Sequence, residues 1–384
     1  MRRPLVAAVC LGAIVFSPAS ADEGSAPAPG VPAGRPPRGA LSRREGRIYD
    51  IEFNATIYAA GTVKGVADPL VLAQNSIEIP LTMLDTFSQV DPASIRAGLS
   101  INNHPVPGAS VQIGELRRGV SAVKVESGAV TCQNIAAQFA WRAASWSSVL
   151  DEAVAARTAW PQSWPDDAQP WLDPQPWIES DQQIFGDFVQ RTAQGNLHGV
   201  SVHIAAKELV KATLLNVRAV RSTGVIYDAT RVIRGLDIRG AKRMAETGEG
   251  TSHDLACLCV AVLRAAGIPS RINVGIIDPD RHAPYFVTWA EYYLPDSGWV
   301  PFLPDDLRGK ATSLDSSLAW KNFGTVKDLN LVVPVSHWIL PEGVPAAPVE
   351  LPALWGWRSA GAIQPCTMRE YTRLQMTSQG RVPE

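Results

Sequence analysis

Side chains that could take part in nucleophilic catalysis stand together at Ser252-His253, and another imidazole, His282, follows in the loop Asp278-Pro279-Asp280-Arg281-His282. A serine hydroxyl becomes a nucleophile when a general base takes its proton, and an imidazole oriented by a carboxylate is the usual base. His282 could swing toward Ser252, with Asp280 or Asp278 beside it. His253 is next to Ser252 but turns about 100° away around a helix, which suits a surface or supporting histidine better than a base. Ser252 also has a simpler reading, as a hydroxyl at a helix start that meets free backbone N–H groups. Cys257 and Cys259 lie two apart and read as small buried hydrophobes. No second Cys pair or His pair stands at ligand spacing, so neither zinc nor any other metal or cofactor is expected.

The elements that must position these groups are legible around them. Gly248 and Gly250 punctuate the approach. Thr251 with Asp254 three residues on fits a capping box, so a helix starts there. Leu255 to Leu263 is apolar on almost every face, which predicts a buried helix from about Thr251 to Ala266. Gly267 and Pro269 end it, and a strand begins near Arg271. Further strands are expected at Tyr285–Leu294 and Trp299–Phe302, joined by a turn at Asp296-Ser297-Gly298. Upstream, Ile184, Phe185, Phe188 and Val189 mark one helix and the stretch from His203 to Asn216 another. Leu329 to Val333 alternates like a strand, and Trp355-Gly356-Trp357 is expected to pack back on this domain.

The run Leu263-Arg264-Ala265-Ala266-Gly267-Ile268-Pro269-Ser270-Arg271 resembles the signature of the transglutaminase-like superfamily, relatives of the papain-type cysteine proteases. The resemblance is specific in order and spacing from Tyr227 to Pro304. It implies an α+β core in which a buried central helix packs against an antiparallel sheet. It also implies positions for the family's catalytic Cys, His and Asp. The Cys position, fifteen residues before the Gly of G-I-P, is Ser252. The His position, two before the Trp of H-x-W-x-E, is Val287, ahead of Trp289-Ala290-Glu291. The Asp position, after Gly298-Trp299-Val300-Pro301-Phe302, is Leu303. The resemblance gives Glu291 a structural ion pair rather than a catalytic part.

The rest of the 384-residue chain frames this core. A formal net charge of −2 excludes a nucleic-acid or anionic-membrane partner held by charge. Arg2, Arg3, the apolar run Leu5 to Phe16 and Ala19-Ser20-Ala21 read as a signal peptide over 1–21. That run is too short to span a bilayer, and no other is long enough, so no integral membrane segment is expected in the mature chain. Residues 22–46, rich in Pro, Gly and Arg, read as a disordered linker. Residues 47–146 alternate with period two between turn signals, as a β-sandwich-like module. A Trp/Pro-rich connector over 147–182 is expected to pack along the next domain, with an exposed aromatic platform as the sharper alternative. The transglutaminase-like domain is placed at 183–360 and a tail at 361–384. Export would favour a Cys132–Cys366 pair.

Val287 cannot accept a proton and Leu303 cannot orient an imidazole. The sequence therefore points to an exported, periplasmic or extracellular protein that is catalytically inactive and binds a peptide, protein or cell-wall component. The alternative is an active hydrolase or acyl transferase using Ser252 with displaced partners, His253 or His282. A purely architectural role is the third reading.

Overall fold

The computed structural model describes residues 37–59, 62–63, 66–67, 69–72, 75–117, 119–277, 283–339, 354–359 and 368–382. The signal-peptide reading, His282 with Asp278 and Asp280, and Cys366 fall outside them. Cys132 is a buried thiol.

Leu41–Ala59 is the spine of a seven-stranded sheet. Tyr49, Ile51, Phe53, Ala55 and Ile57 are buried while the residues between them are partly exposed, which is the period-two pattern seen in the sequence. One edge of this strand pairs antiparallel with Asn134–Leu150, with Phe53 opposite Phe139. Its other edge pairs with Met368–Arg381, with Phe53 opposite Leu374. A second, four-stranded sheet orders Gly356–Ser359, Asn75–Leu81, Val120–Ser127 and Ser110–Arg117. Ile77, Ile79, Val123 and Val125 of this sheet share the apolar core of the first.

The structure corrects three expectations here. The stretch read as a linker to residue 46 is already strand from Leu41, which is buried, and Arg43 lies over Trp146 at 4.5 Å. The pairing crosses an irregularity at Arg44/Arg47, where Glu45 has φ 44°, so the side-chain alternation is lost although the ladder continues. Of the stretch read as a tail, Met368–Arg381 is a strand paired along the first one, with Thr372, Leu374 and Met376 buried. Trp355 and Trp357 pack on the sheet-rich region rather than on the helical core, donating to Thr372 Oγ1 at 2.7 Å and Glu370 Oε1 at 2.9 Å. An edge-to-edge partner far away in sequence carries no local signal, which is why these strands escaped a window-based reading.

The connector runs along the core. It holds the end of the strand Asn134–Leu150 and one helical turn, Glu152–Ala155, and its proline-rich part leaves a short 3-10 turn, Gln169–Leu172. Trp160 donates to the Val200 carbonyl and Trp164 to the Gly267 carbonyl, each at 2.9 Å, and Trp171 is buried.

The core packs helices Gln183–Ala193, Val202–Asn216 and Ala241–Thr247 around the helix Ser252–Ala265, against an antiparallel sheet. That sheet orders Gly298–Phe302, Tyr285–Leu294, Ser270–Ile277 and Val332–Ser336. The last strand starts later than the alternation at Leu329 suggested, because Lys327–Leu331 is a 3-10 turn. That turn is held by the sheet-rich region: Tyr49 Oη donates to the Asn330 carbonyl at 3.0 Å, and Asn330 Nδ2 donates to the Glu45 carbonyl at 2.7 Å. Ser145 donates to the Val332 carbonyl at 2.7 Å and Ser148 to the Gly324 carbonyl at 2.8 Å. The two regions are therefore welded by hydrogen bonds as well as by apolar packing.

Phe53 sits where they meet, its ring 6.5 Å from Phe139 and 6.0 Å from Phe286 of the core strand. Phe53→Ala should cost about 3–5 kcal/mol in urea unfolding. A loss below about 1 kcal/mol would show that the junction is loosely packed.

Candidate functional site

The entry to the central helix is built on one carboxylate. Gly248 takes φ +69° to leave the preceding helix, and Gly250 comes so close to Asp254 that a Cβ there would lie 2.8 Å from the Asp254 Cβ. Thr251 caps the helix: its hydroxyl accepts from the Asp254 N–H at 3.3 Å, and Asp254 Oδ2 accepts from the Thr251 N–H at 2.9 Å. Asp254 Oδ1 accepts from the N–H groups of Arg239 at 2.7 Å and Gly240 at 2.8 Å. The capping box read from the sequence thus also holds a distant loop.

Ser252 is the first helical residue and is half-buried. Its N–H donates to the Ser222 carbonyl at 3.0 Å. Its hydroxyl lies 2.9 Å from Asp305 Oδ2 and 3.3 Å from the Ser222 carbonyl, both acceptors. Asp305 is exposed and belongs to the short helix Pro304–Arg308, just after Leu303. A carboxylate at a helix N-terminus is favoured by the helix dipole and by the free N–H groups there.

His253 is fully buried, so of the two readings made of it, surface or supporting, the surface one does not hold. Its Nδ1 is 2.6 Å from Thr288 Oγ1. The ring occupies space that Gly224 leaves open at φ +84°, where a Cβ would lie 2.4 Å from the ring's Cδ2. Burial pushes its pKa down to about 4, partly opposed by Asp237, so the ring is neutral near pH 7. Cys257 and Cys259 are fully buried, and burial pushes both thiols up, away from the reactive thiolate.

The Val287 and Leu303 segments both reach the first turn of the helix through a neighbouring residue. Val287 is half-buried opposite Gly275, and the next residue, Thr288, holds His253. Leu303 is half-buried, donates its N–H to the Asn322 carbonyl at 3.0 Å, and leads into the helix that carries Asp305. Asp305 is the site residue that the sequence reading missed. Leu303-Pro304-Asp305-Asp306 does carry a helix-start signal, Pro followed by acids, but nothing local places that helix against Ser252.

Residues 205–304 match the family model described as the transglutaminase-like superfamily. The chain carries a transglutaminase-like core. Its fold is similar to that of a proposed cysteine protease from Cytophaga hutchinsonii, at 13% identity and a TM-score of 0.54, covering 88% of this chain and 93% of that one. The periplasmic domain of TgpA from Pseudomonas aeruginosa is matched at 15% identity and a TM-score of 0.24, covering 67% of this chain and 88% of that one. No curated protein matches the chain.

Elsewhere in the core, Arg271 is buried between the core and the sheet-rich region. Its Nε donates to Glu291 Oε2 at 2.8 Å, and its Nη2 donates to Asp85 of the sheet-rich region. Nη1 lies 3.2 Å from His337 Nε2, and the guanidinium sits 4.3 Å over the Trp299 ring. Burial, then the Asp85 charge, raise Glu291 to about 7 against the pull of Arg271. Burial and the Arg271 charge push His337 well down.

The sign of the Glu291 shift gives a pH dependence. Folded Glu291 holds its proton more tightly than the unfolded chain, whose reference value is 4.5. The stability this group contributes is complete below pH 4.5 and is lost as pH rises through about 7. Unfolding free energy measured from pH 5 to 8 should therefore fall in part because of Glu291, and Glu291→Gln should flatten that part of the slope. An unchanged slope in Glu291→Gln would assign the effect elsewhere.

Proposed function

We propose that this is an exported transglutaminase-like protein that does not carry out the family's acyl transfer and acts by binding a peptide, protein or cell-wall component. One observation carries the reading: the hydroxyl of Ser252 faces the Asp305 carboxylate and a backbone carbonyl, while the neighbouring imidazole is buried on Thr288. A carboxylate is a much weaker base than an imidazole. General-base help is worth roughly 10²–10⁴-fold in rate, so Ser252, which has no imidazole partner among the described residues, falls well short of a competent nucleophile. Val287 and Leu303 add no titratable group. Export rests on the N-terminal signal pattern, and among the described residues no helix is long and apolar enough to cross a membrane.

The Ser252–Asp305 contact favours one second reading, in which Asp305 is a displaced partner of an active Ser252. Amine incorporation and peptide hydrolysis separate the two. Wild type, Ser252→Ala, Asp305→Asn and Ser252→Cys should all be inactive, and activity should need Ser252→Cys together with Val287→His and Leu303→Asp. Wild-type turnover that disappears in both Ser252→Ala and Asp305→Asn would establish the second reading instead.

A further inference from the structure

Five aromatic rings form a continuous row along one side of the core. From the hairpin, Trp299 contacts Tyr293 at 5.2 Å between centroids. Tyr293 contacts Trp164 at 6.3 Å, Trp164 contacts Trp160 at 6.4 Å, and Trp160 contacts His198 at 4.2 Å. The four larger rings are half-buried and His198 is exposed, so the row meets solvent along its length. The Trp160 and Trp164 indole N–H groups are already spent on backbone carbonyls, which fixes their rings in place. What they leave outward is apolar surface.

The row is also acidic on one side. The exposed carboxylates Asp167 and Asp296 both act on the Tyr293 hydroxyl, adding to the effect of burial on it. Rigid aromatic rings beside carboxylates suit a ligand that brings flat apolar rings and fixed positive charge. Extended proline segments dock on aromatic rows because their conformation is already restricted. Arginine adds stacking on ring faces and pairing with carboxylates.

The chain itself carries such a segment, and the residues that follow it, Gly39 and Ala40, lie beside the row. Residues 22–36 contain Pro27, Pro29, Pro32, Arg35 and Pro36, with the acidic Asp22 and Glu23 at the N-terminal end, so the positive charge is local to Arg35 and to Arg38, which follows Pro37. Just beyond, the Ala40 N–H donates to Ser297 Oγ at 3.0 Å. Gly39, at φ +60°, lies so close to the same turn that a Cβ would fall 2.8 Å from the Asp296 carbonyl oxygen. That turn joins the two strands that carry Tyr293 and Trp299. About eight residues of polyproline II, at roughly 3.1 Å each, are enough to run from Trp299 to His198, and fifteen precede Pro37.

We propose that the row from Trp299 to His198 is a docking surface for a proline-rich, arginine-bearing extended segment, and that its occupant is residues 22–36 of the same chain. The docking is independent of whether Ser252 reacts.

The test uses the full mature chain, a Pro32→Gly/Arg35→Glu variant that weakens the tethered segment, and a fluorescein-labelled synthetic peptide with the sequence of residues 22–38. A tethered segment competes at an effective concentration in the millimolar range. The peptide should therefore bind the variant roughly tenfold more tightly than the wild type. Adding Asp167→Lys, an exposed change, or Trp164→Ala to the variant should weaken that binding at least tenfold, with circular dichroism confirming the fold. Binding to neither protein would overturn the proposal. So would equal binding to wild type and variant, or binding untouched by Asp167→Lys. Chitohexaose that binds the wild type and is lost in Trp164→Ala would show an open glycan platform, and would overturn it too.

Discussion

The Asp254 carboxylate has no access to solvent and accepts from four donors: the N–H groups of Arg239, Gly240 and Thr251, and the Thr251 hydroxyl. A buried carboxylate is tolerable only when its lone pairs are met this fully. Because the donors come from the helix cap and from a loop fifteen residues upstream, the same group fixes where the central helix starts and what lies in front of it. Ser252 is half-exposed, beside Ser222, because of that arrangement.

A second buried charge cluster joins the two halves of the molecule. Arg271 takes carboxylates from both sides, Glu291 from its own sheet and Asp85 from the sheet-rich region, and rests on Trp299. Burial raises Glu291, and the second carboxylate at the same guanidinium, Asp85, raises it further. Breaking such a cluster costs far more than its net contribution suggests, since each surviving charge is left buried. The sheet-rich region is therefore part of the core's support. Its serine hydroxyls and Tyr49 also close the backbone of the 324–332 stretch.

Around Ser252, the hydroxyl and the described imidazole beside it are held by different partners. The one described imidazole nearby is neutral and buried on Thr288, and the carboxylate that reaches the hydroxyl comes from a short acidic helix. The contact joins that helix to the N-terminus of the central one, a favourable place for a carboxylate. It orients the hydroxyl without supplying a strong base. The two cysteines of the helix point into the core and cannot substitute for a nucleophile at its start.

The central helix, its cap, its end at Gly267 and the hairpin at Asp296–Gly298 were legible in the sequence because each is set by residues within a few positions: a capping box, an apolar run, a glycine and a turn. The same holds for the alternation of Tyr49 to Phe53 and for the Trp-anchored connector. Position in the family pattern picked out Ser252, Val287 and Leu303 for the same reason, since spacing along a helix or strand is a local property. Only the tertiary structure decided what touches Ser252. Asp305 lies 53 residues away and reaches it by the docking of one helix on another. The start of the strand at Leu41 forms by pairing with Leu150, the strand at Met368 by pairing with Ala59 across more than 300 residues, and Asp85 meets Arg271 from a different region. His253 became buried because Gly224 leaves room for its ring. In each case the deciding partner is far away along the chain, and a sequence window records composition and period, which carry no information about which distant surface arrives.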